Sequence, residues 1–180
     1  MYPVFAAVVG TVFICLIFQN IISEKPADDY PMMPDAPNPP EKVSAHLYFA
    51  NRENSFLTAE EHVFICSDDP GILGSAVINA LIKGSDKGLL RTIPEGTELR
   101  AFYVSENGIA YPDFTEALTK NHPGGTESEL MTIYSVVNSL ILNIPEIRAV
   151  KFLIGGKEAL TLAGNIDLRF PFAADMLLIK

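Results

Sequence analysis

The stretch of residues 126–154 constrains the fold more than any other part of the chain. Its apolar residues recur at steps of three and four, which places them along one stripe of an α-helix. They are Leu130, Ile133, Tyr134, Val137, Leu140, Ile141 and Ile144. Pro145 ends the helix, because the residue before a proline is pushed out of helical geometry, and an apolar strand follows at residues 150–154. An amphipathic helix gains most of its stability from tertiary packing, so a sheet must cover its apolar stripe.

The start of this helix carries a capping pattern. Thr126 is followed three residues later by Glu129, which predicts a capping box in which each side chain accepts a hydrogen bond from the other residue's backbone N–H.

The amphipathic spacing also predicts the effect of a charged residue on each face of the helix. An aspartate should abolish cooperative unfolding at Val137 but be tolerated at Ser139.

The face opposite the apolar stripe is polar, and no charged residue occurs between Glu129 and Glu146. Two interpretations stay open for it, namely a solvated face that lacks charge and a surface that contacts a partner. The second rests on the depletion of charged residues at the centres of protein interfaces. In that case the candidate binding residues are Thr132, Ser135, Asn138, Ser139 and Asn143.

The composition suits one folded domain and disfavours nucleic acid as a partner. With 180 residues, 48 % of them hydrophobic and 19 % charged, the chain can bury a core. Its formal net charge is −9, and residues 43–180 contain 11 Lys and Arg against 17 Asp and Glu. This part of the chain therefore lacks the basic surface that phosphate binding requires.

Residues 2–22 form an apolar run without a charged residue. As a helix they span about 30 Å, which matches the hydrocarbon core of a bilayer. We therefore interpret residues 1–23 as a transmembrane anchor or uncleaved signal. A cleaved signal peptide is an alternative, although no Lys or Arg precedes the run. A lipoprotein signal at Cys15 is another, although Ile14 is large for the residue before a lipidated cysteine.

Residues 24–42 contain six prolines with acidic residues between them. Such a segment cannot bury a core, and it favours an extended polyproline II conformation. We interpret it as a linker that holds one folded domain, residues 43–180, away from the bilayer, with a proline-rich recognition ligand as the alternative. Lys25 and Lys42, which follow the apolar run, do not by themselves favour export of the domain.

Sequence patterns in the domain predict a second helix and several strands. Asp69 as N-cap and Pro70 at the first helical position predict a helix at Pro70–Lys83, which Gly84 ends. The predicted strands are residues 45–50, 62–66, 98–104, 109–114, 150–154 and 159–162. A tight turn at Asn107 and Gly108 joins the third and fourth of them. Pro112 lacks a backbone N–H, so its strand is expected toward an edge of the sheet.

These elements indicate an α/β (α+β) fold. Two main helices and about six strands occur in mixed order along the chain. We expect a mixed sheet with both helices packed on one face, preceded by one transmembrane helix.

No arrangement of residues predicts catalysis, cofactor binding or a metal site. The three histidines, His46, His62 and His122, lack metal-ligand spacing. Ser75 lies within the first turns of the predicted helix and does not occupy the strand–turn–helix elbow of a nucleophilic serine. The sequence therefore favours a protein that is not an enzyme.

Five motifs follow one another in the domain. They are Pro-Glu-Gly-Thr at residues 94–97, Ala-Tyr-Pro-Asp-Phe-Thr at 110–115, Thr-Ile-Tyr-Ser-Val-Val-Asn-Ser-Leu at 132–140, Val-Lys-Phe-Leu-Ile-Gly-Gly-Lys at 150–157 and Thr-Leu-Ala-Gly-Asn-Ile-Asp-Leu at 161–168. Their order resembles that of the GerMN domain, the sporulation and spore germination domain, as one copy over residues 43–172. Pro112 departs from the family, which usually carries a small β-branched residue there.

The resemblance implies a fold similar to the ring-building motif of secretion and sporulation channels, and a place outside the bacterial cytoplasmic membrane. No catalysis or cofactor is attributed to such domains. We therefore expect a single-pass, membrane-tethered, extracytoplasmic binding or scaffolding module of the cell envelope, acting in sporulation or germination. The expected partners are envelope proteins or peptidoglycan, with a homo-oligomer as a further option. The alternative is a cell-wall-acting enzyme or an accessory domain of a wall amidase.

Overall fold

The computed structural model describes residues 41–66 and 69–180 of the protein. In chain order the elements are β1 (Glu41–Ala50), β2 (Leu57–Cys66), α1 (Pro70–Lys83), β3 (Leu99–Val104), β4 (Ile109–Phe114), α2 (Ala117–Lys120), α3 (Thr126–Ile141), β5 (Ala149–Val150), β6 (Leu153–Ile154), β7 (Lys157–Glu158) and a 3-10 helix (Met176–Leu178). No helix within the described ranges is long and apolar enough to span a bilayer. The predicted anchor, residues 1–23, and all but the last two residues of the predicted linker lie outside those ranges.

Strands β1 and β2 form an antiparallel hairpin of ten residues per strand. Asn51 holds the turn, because its Oδ1 accepts hydrogen bonds from the backbone N–H groups of Ser55 (2.8 Å) and Phe56 (3.1 Å). Asn54 takes the left-handed conformation that the turn requires, with φ of 55°, which asparagine tolerates better than most residues. Hydrogen bonds to the Asn51 side chain and the left-handed backbone of Asn54 therefore stabilise the hairpin turn.

The other five strands form a mixed sheet in which β4 is central. It pairs antiparallel with β3 on one side and parallel with β5 and β6 on the other, and β7 continues antiparallel from β6. The fold is thus α+β, but the prediction of one mixed sheet is wrong because the β1–β2 hairpin is a separate sheet. The predicted turn at Asn107 and Gly108 is confirmed, since β3 ends at Val104 and β4 begins at Ile109.

The expectation that Pro112 lies in an edge strand is wrong. Ala110 and Phe114 direct their carbonyls toward the β5–β6 side, where they accept from Lys151 N–H and Gly155 N–H at 2.8 Å each. Because backbone direction alternates along a strand, Pro112 faces that same side. Pairing there is interrupted between β5 and β6, so the missing proline N–H falls where the ladder is already broken.

Helix α1 has the predicted bounds and cap. Asp69 is the N-cap, and its Oδ1 accepts from the backbone N–H groups of Gly71 (2.8 Å) and Ile72 (3.0 Å). Gly74 lies on the buried side of the helix, directly against the ring of Phe102 on β3. The absent side chain at Gly74 lets helix and sheet approach closely.

Helix α3 runs through the middle of the domain and contacts β1, α1 and β5. Ten of its residues are buried, and they lie on all sides of the helix: Glu129, Met131, Thr132, Ile133, Ser135, Val136, Val137, Asn138, Ser139 and Leu140. The predicted capping box is wrong, because Gly125 is the N-cap and no side chain caps this end. The helix therefore depends on tertiary contacts more than on local capping.

The main core lies among the hairpin, the two long helices and the mixed sheet. Fully buried apolar side chains from each meet there, including Leu47, Phe49, Val77, Val137 and Phe114. An aromatic chain, in which Phe152 contacts Phe114 and Phe172 at centroid distances of 6.1 Å each, extends the core toward the C-terminal segment.

The contact at Gly74 gives a test of the helix–sheet packing. A Cβ at this position would lie 2.3 Å from Cε1 of Phe102, so we expect Gly74→Ala to destabilise the protein by about 1–3 kcal/mol through overpacking. Helix propensity alone predicts the opposite sign, by about 1 kcal/mol. Urea unfolding measures the difference, with Asn79→Ala on the exposed side of α1 as the control. A more stable Gly74→Ala variant would contradict this packing.

Candidate functional site

The polar face of α3 (Thr132, Ser135, Asn138 and Ser139, continued by Asn143 in the turn after the helix) is directed into the protein. Thr132 is 2 % exposed, Ser135, Asn138 and Ser139 are 0 % exposed, and Asn143 is partly buried. Both sequence interpretations placed these residues at the surface, so both are wrong on this point. Their hydrogen bonds go to other segments of the same chain.

Three of these residues bind the backbone of β1 along its outer edge. The Asn143 side chain accepts a hydrogen bond from His46 N–H and donates one to the His46 carbonyl, at 2.8 Å each. Ser139 Oγ accepts from Tyr48 N–H at 3.0 Å, and Ser135 Oγ donates to the Tyr48 carbonyl at 2.6 Å. Side chains of α3 thus occupy the places where a neighbouring strand would bind, which is why the hairpin remains a separate sheet.

The side chains of α3 fit the edge of β1 because the rise along the helix and the rise along the strand are similar. Ser135, Ser139 and Asn143 are four residues apart, and four residues of helix advance about 6 Å. Two residues of strand, the separation of His46 and Tyr48, advance about 6.8 Å. A helix packed along the strand can therefore serve successive outward-facing backbone groups with one stripe of small polar side chains.

The other two residues of the polar face bind loops. Asn138 exchanges two hydrogen bonds with the backbone of Asp175, at 2.9 Å and 3.0 Å. Thr132 Oγ1 lies 2.6 Å from the carbonyl of Thr92. The hydroxyl of Thr92 lies 2.6 Å from Ser135 Oγ, and it is the donor in that pair because Ser135 already donates to β1. The face is an internal interface, for which charge depletion is also expected.

The Thr132 hydroxyl also meets an imidazole. His122 Nδ1 accepts from Gly124 N–H at 3.0 Å, so the ring hydrogen is on Nε2, which faces Thr132 Oγ1 at 3.1 Å. Burial lowers the pKa of His122 more than nearby Glu129 raises it. A hydroxyl beside an imidazole is the arrangement of an activated nucleophile. Thr132 is buried, however, and its hydrogen is directed to a backbone carbonyl, so this pair is structural.

Ser139 tests the role of the polar face. Ser139→Ala removes the acceptor of the buried Tyr48 N–H, so we expect a loss of about 1–3 kcal/mol in the free energy of unfolding. Thr126→Ala, at an exposed position of the same helix, should change it by less than about 0.5 kcal/mol. Urea unfolding compares the two variants. Equal effects would contradict the assignment, and Ser139→Asp is expected to be poorly tolerated, contrary to the sequence expectation.

Glu129 is a second feature that the sequence did not reveal. Its carboxylate is fully buried and accepts four hydrogen bonds from one loop. The donors are the backbone N–H groups of Leu162 (2.8 Å), Ala163 (3.0 Å) and Asn165 (2.9 Å), with the Asn165 side-chain amide at 2.9 Å. Burial raises the pKa of Glu129, but these hydrogen bonds outweigh it and the net pKa lies below the usual value of 4.5. The ionised carboxylate therefore fixes the loop of residues 161–165 on α3.

Glu129→Gln tests this contact. The variant replaces one acceptor oxygen by an amide that faces N–H donors, so we expect a loss of about 1.5–3 kcal/mol. Because the folded-state pKa is lowered, the stabilisation is present above pH 4.5 and is lost as the pH falls below it. Urea unfolding as a function of pH measures both effects, with Glu127→Gln as the exposed control on the same helix turn. An acid dependence that Glu129→Gln leaves unchanged would contradict the assignment.

The outer edge of β2 differs from that of β1. Register and alternation direct the backbone groups of Ala59, Glu61, Val63 and Ile65 away from β1, and we call these four residues the free edge of β2. Leu57, next along this edge, accepts from Lys180 N–H at 2.9 Å. Within the described part of the chain, the backbone groups of the free edge have no hydrogen-bond partner.

Apolar side chains accompany these open backbone groups. Val63 is 63 % exposed and Ile65 is 68 % exposed. Glu61 lies beside them on the same face and accepts a hydrogen bond from Ser44 at 2.6 Å. In the described part of the domain, the free edge thus combines unpaired donors and acceptors with two exposed apolar residues and one acidic residue. This is the form of a strand that can accept another strand.

Several solved structures share this fold at low sequence identity. The tandem GerMN domains of the sporulation protein GerM from Bacillus subtilis align with a TM-score of 0.57 at 20 % identity, over 76 % of this chain and 46 % of that chain. The first GerMN domain of the same protein gives a TM-score of 0.55 at 20 % identity, over 74 % and 96 %. The crystal structure of a candidate lipoprotein from Clostridium perfringens gives 0.53 at 23 % identity, over 78 % and 92 %. These likenesses establish the fold alone.

Sequence comparison identifies the family. A search of curated proteins gives no significant match. The sequence profile of the Germane family, described as sporulation and spore germination, matches residues 46–160. This range covers more than half of the chain and confirms the resemblance drawn from the five motifs. The chain therefore belongs to the Germane family of sporulation and spore germination domains.

Proposed function

We propose that this protein is a non-catalytic binding module of the bacterial cell envelope, and that it binds an extended segment of a protein partner along the free edge of β2. The observation that carries the proposal is the contrast between the two edges of the hairpin. Side chains of α3 satisfy the β1 edge at His46 and Tyr48. Among the residues that the structure describes, none pairs with the β2 edge over the same length, so a partner strand can pair there through its main chain.

The chemistry of the free edge favours a polypeptide over peptidoglycan glycan. Its backbone offers a row of N–H and carbonyl groups at the spacing of a β-strand, which only another extended backbone matches along its whole length. The exposed side chains of Val63 and Ile65 offer contacts to apolar residues at alternate positions of that strand. A glycan chain has no matching ladder of donors and acceptors.

The negative charge of this domain indicates which side chains a partner strand would carry. Residues 43–180 contain 17 acidic and 11 basic residues, and Glu61 is the one charged residue on the free edge. A second copy of this chain would bring its own acidic surface to the contact, which disfavours self-association. We therefore expect a partner segment in which apolar residues alternate with a Lys or Arg that faces Glu61.

We further propose that residues 2–22 hold the module at the cytoplasmic membrane as a single span, with residues 24–42 as a spacer and the domain on the outer side. The absence of charge over 21 consecutive residues supports an anchor of bilayer length. The fold likeness to a candidate lipoprotein supports a place at the membrane for domains of this fold. A role in sporulation or germination is consistent with the family description.

A proline at Val63 tests the proposed binding edge. Val63 N–H points away from β1, so Val63→Pro removes a donor from the free edge and leaves the hairpin pairing intact. Val63→Thr is the matched control, since it keeps the N–H and the β-propensity. The full-length protein in detergent is titrated with a short synthetic peptide. Every second residue of this peptide is threonine, and the positions between are filled by valine and lysine. Amide exchange of residues 59, 61, 63 and 65 should slow on binding, and Val63→Pro should abolish the effect.

Other outcomes identify other occupants. Self-association in sedimentation that Val63→Pro removes would mean that a second copy fills the edge. Binding to purified sacculi that Val63→Pro leaves unchanged would point to peptidoglycan and to a different surface. Clearing of a cell-wall gel by the protein would overturn the non-catalytic assignment.

A further inference from the structure

Three metal-ligating side chains meet on the inner side of β2, away from the free edge. They are Glu60, His62 and Asp86, whose ligand atoms lie within 4.8 Å of one another. Glu60 and His62 are two residues apart on one strand, so both side chains project from the same face. Asp86 reaches them from the loop that follows α1. Sequence spacing could not reveal this group, because Asp86 is distant in the chain from Glu60 and His62 and comes close only through the fold.

The imidazole of His62 is held in place by its neighbours. It stacks on Phe64 with ring centroids 6.3 Å apart and is tilted against Phe49 at 6.5 Å. Its Nε2 lies 2.8 Å from Oε1 of Glu60. The ring is thus oriented with one nitrogen toward the carboxylate, so one ion can reach both ligand atoms.

The carboxylate of Glu60 is oriented by a second set of contacts. Its Oε2 accepts from Ser85 Oγ at 2.5 Å and from Lys87 N–H at 3.3 Å, and its Oε1 accepts from Asp86 N–H at 3.0 Å. The side chain of Glu60 is 1 % exposed. Hydrogen bonds of this kind fix the direction of a ligating carboxylate and leave the oxygen that faces the imidazole in position to bind a cation.

We propose that Glu60, His62 and Asp86 bind a divalent transition metal ion, with Zn²⁺ as the best fit. One imidazole nitrogen and two carboxylate oxygens form a donor set that suits zinc. At metal–ligand distances of about 2.0–2.2 Å, two tetrahedral ligands lie about 3.3 Å apart. The present separation of Nε2 and Oε1, 2.8 Å, needs to open only slightly.

Metal binding changes the position of a hydrogen on the His62 imidazole and leaves the number of protons on the protein unchanged. In the metal-free protein Nε2–H of His62 donates to Oε1 of Glu60. On metal binding this hydrogen moves to Nδ1 through solvent, and Nε2 and Oε1 both coordinate the ion. Two carboxylates then neutralise the charge of the dication, and one coordination position remains for water.

Asp86 lies on the route by which an ion would reach the site, and it also forms an ion pair that competes with metal binding. Its side chain is 59 % exposed, so the ion reaches the buried Glu60 from that side. Asp86 also pairs with Lys83 at 3.1 Å, but the lysine is 70 % exposed and such surface ion pairs are weak. Asp86 can therefore exchange this pairing for the metal. The bound ion would join β2 to the loop after α1.

Titration calorimetry of the full-length protein in detergent tests the site. The thiols are removed first by Cys15→Ser and Cys66→Ser, so that only nitrogen and oxygen ligands remain. Zn²⁺ and Co²⁺ are then added to this protein, to Asp86→Asn and to His62→Gln. Asp86→Asn is the main variant, because the residue is exposed and its loss spares the fold. Glu61→Gln, on the other face of β2, is the matched control.

We expect one ion per chain, affinity lowered at least about tenfold by Asp86→Asn and by His62→Gln, and no change with Glu61→Gln. Bound Co²⁺ should show the intense visible bands of tetrahedral coordination. Circular dichroism verifies that His62→Gln remains folded. The absence of saturable binding at millimolar zinc would overturn the proposal. Binding that all variants share equally would also overturn it, since the ion would then lie elsewhere.

Discussion

The hydrogen bonds between side chains of α3 and the outer edge of β1 determine how the hairpin joins the rest of the domain. Backbone groups that leave water need partners, and Ser135, Ser139 and Asn143 provide them for two residues of β1. A charged side chain would be costly at these buried positions, and an apolar one would leave N–H and carbonyl groups unpaired. Small uncharged polar residues are therefore required, which explains why charge is absent from the middle of the helix.

Buried carboxylates then hold the loops around this centre. Glu129 binds the loop of residues 161–165 chiefly through backbone N–H groups. Glu60 binds residues 85–87 through the Ser85 hydroxyl and the backbone N–H groups of Asp86 and Lys87. No lysine or arginine contacts either carboxylate within the described ranges. Oriented N–H groups can stabilise a buried negative charge without a counter-ion, so each loop closes over an anion that belongs to the core.

The parts of the fold that sequence could predict are those set by neighbouring residues. Helix α1 has its predicted bounds because Asp69, Pro70 and Gly84 act locally. The faces of α3 could not be assigned, because a serine that bonds a distant strand and a serine in water look alike in a single sequence. Glu129 fits a local capping pattern but serves a loop more than 30 residues away, and Pro112 is tolerated only because its partner strand is interrupted. Each error concerns a contact that exists only in the folded chain.

The contrast between the edges of the hairpin bears on function. An open strand edge with exposed Val63 and Ile65 carries a risk of aggregation, which proteins usually reduce by covering or charging the edge. Within the described residues, side chains of α3 cover one edge and nothing pairs with the other, which favours a binding role for that second edge. The proposed metal ligands Glu60 and His62 lie on the same strand and face inward. An ion there would hold β2 rigid, and a rigid strand loses less conformational freedom when a partner pairs with it.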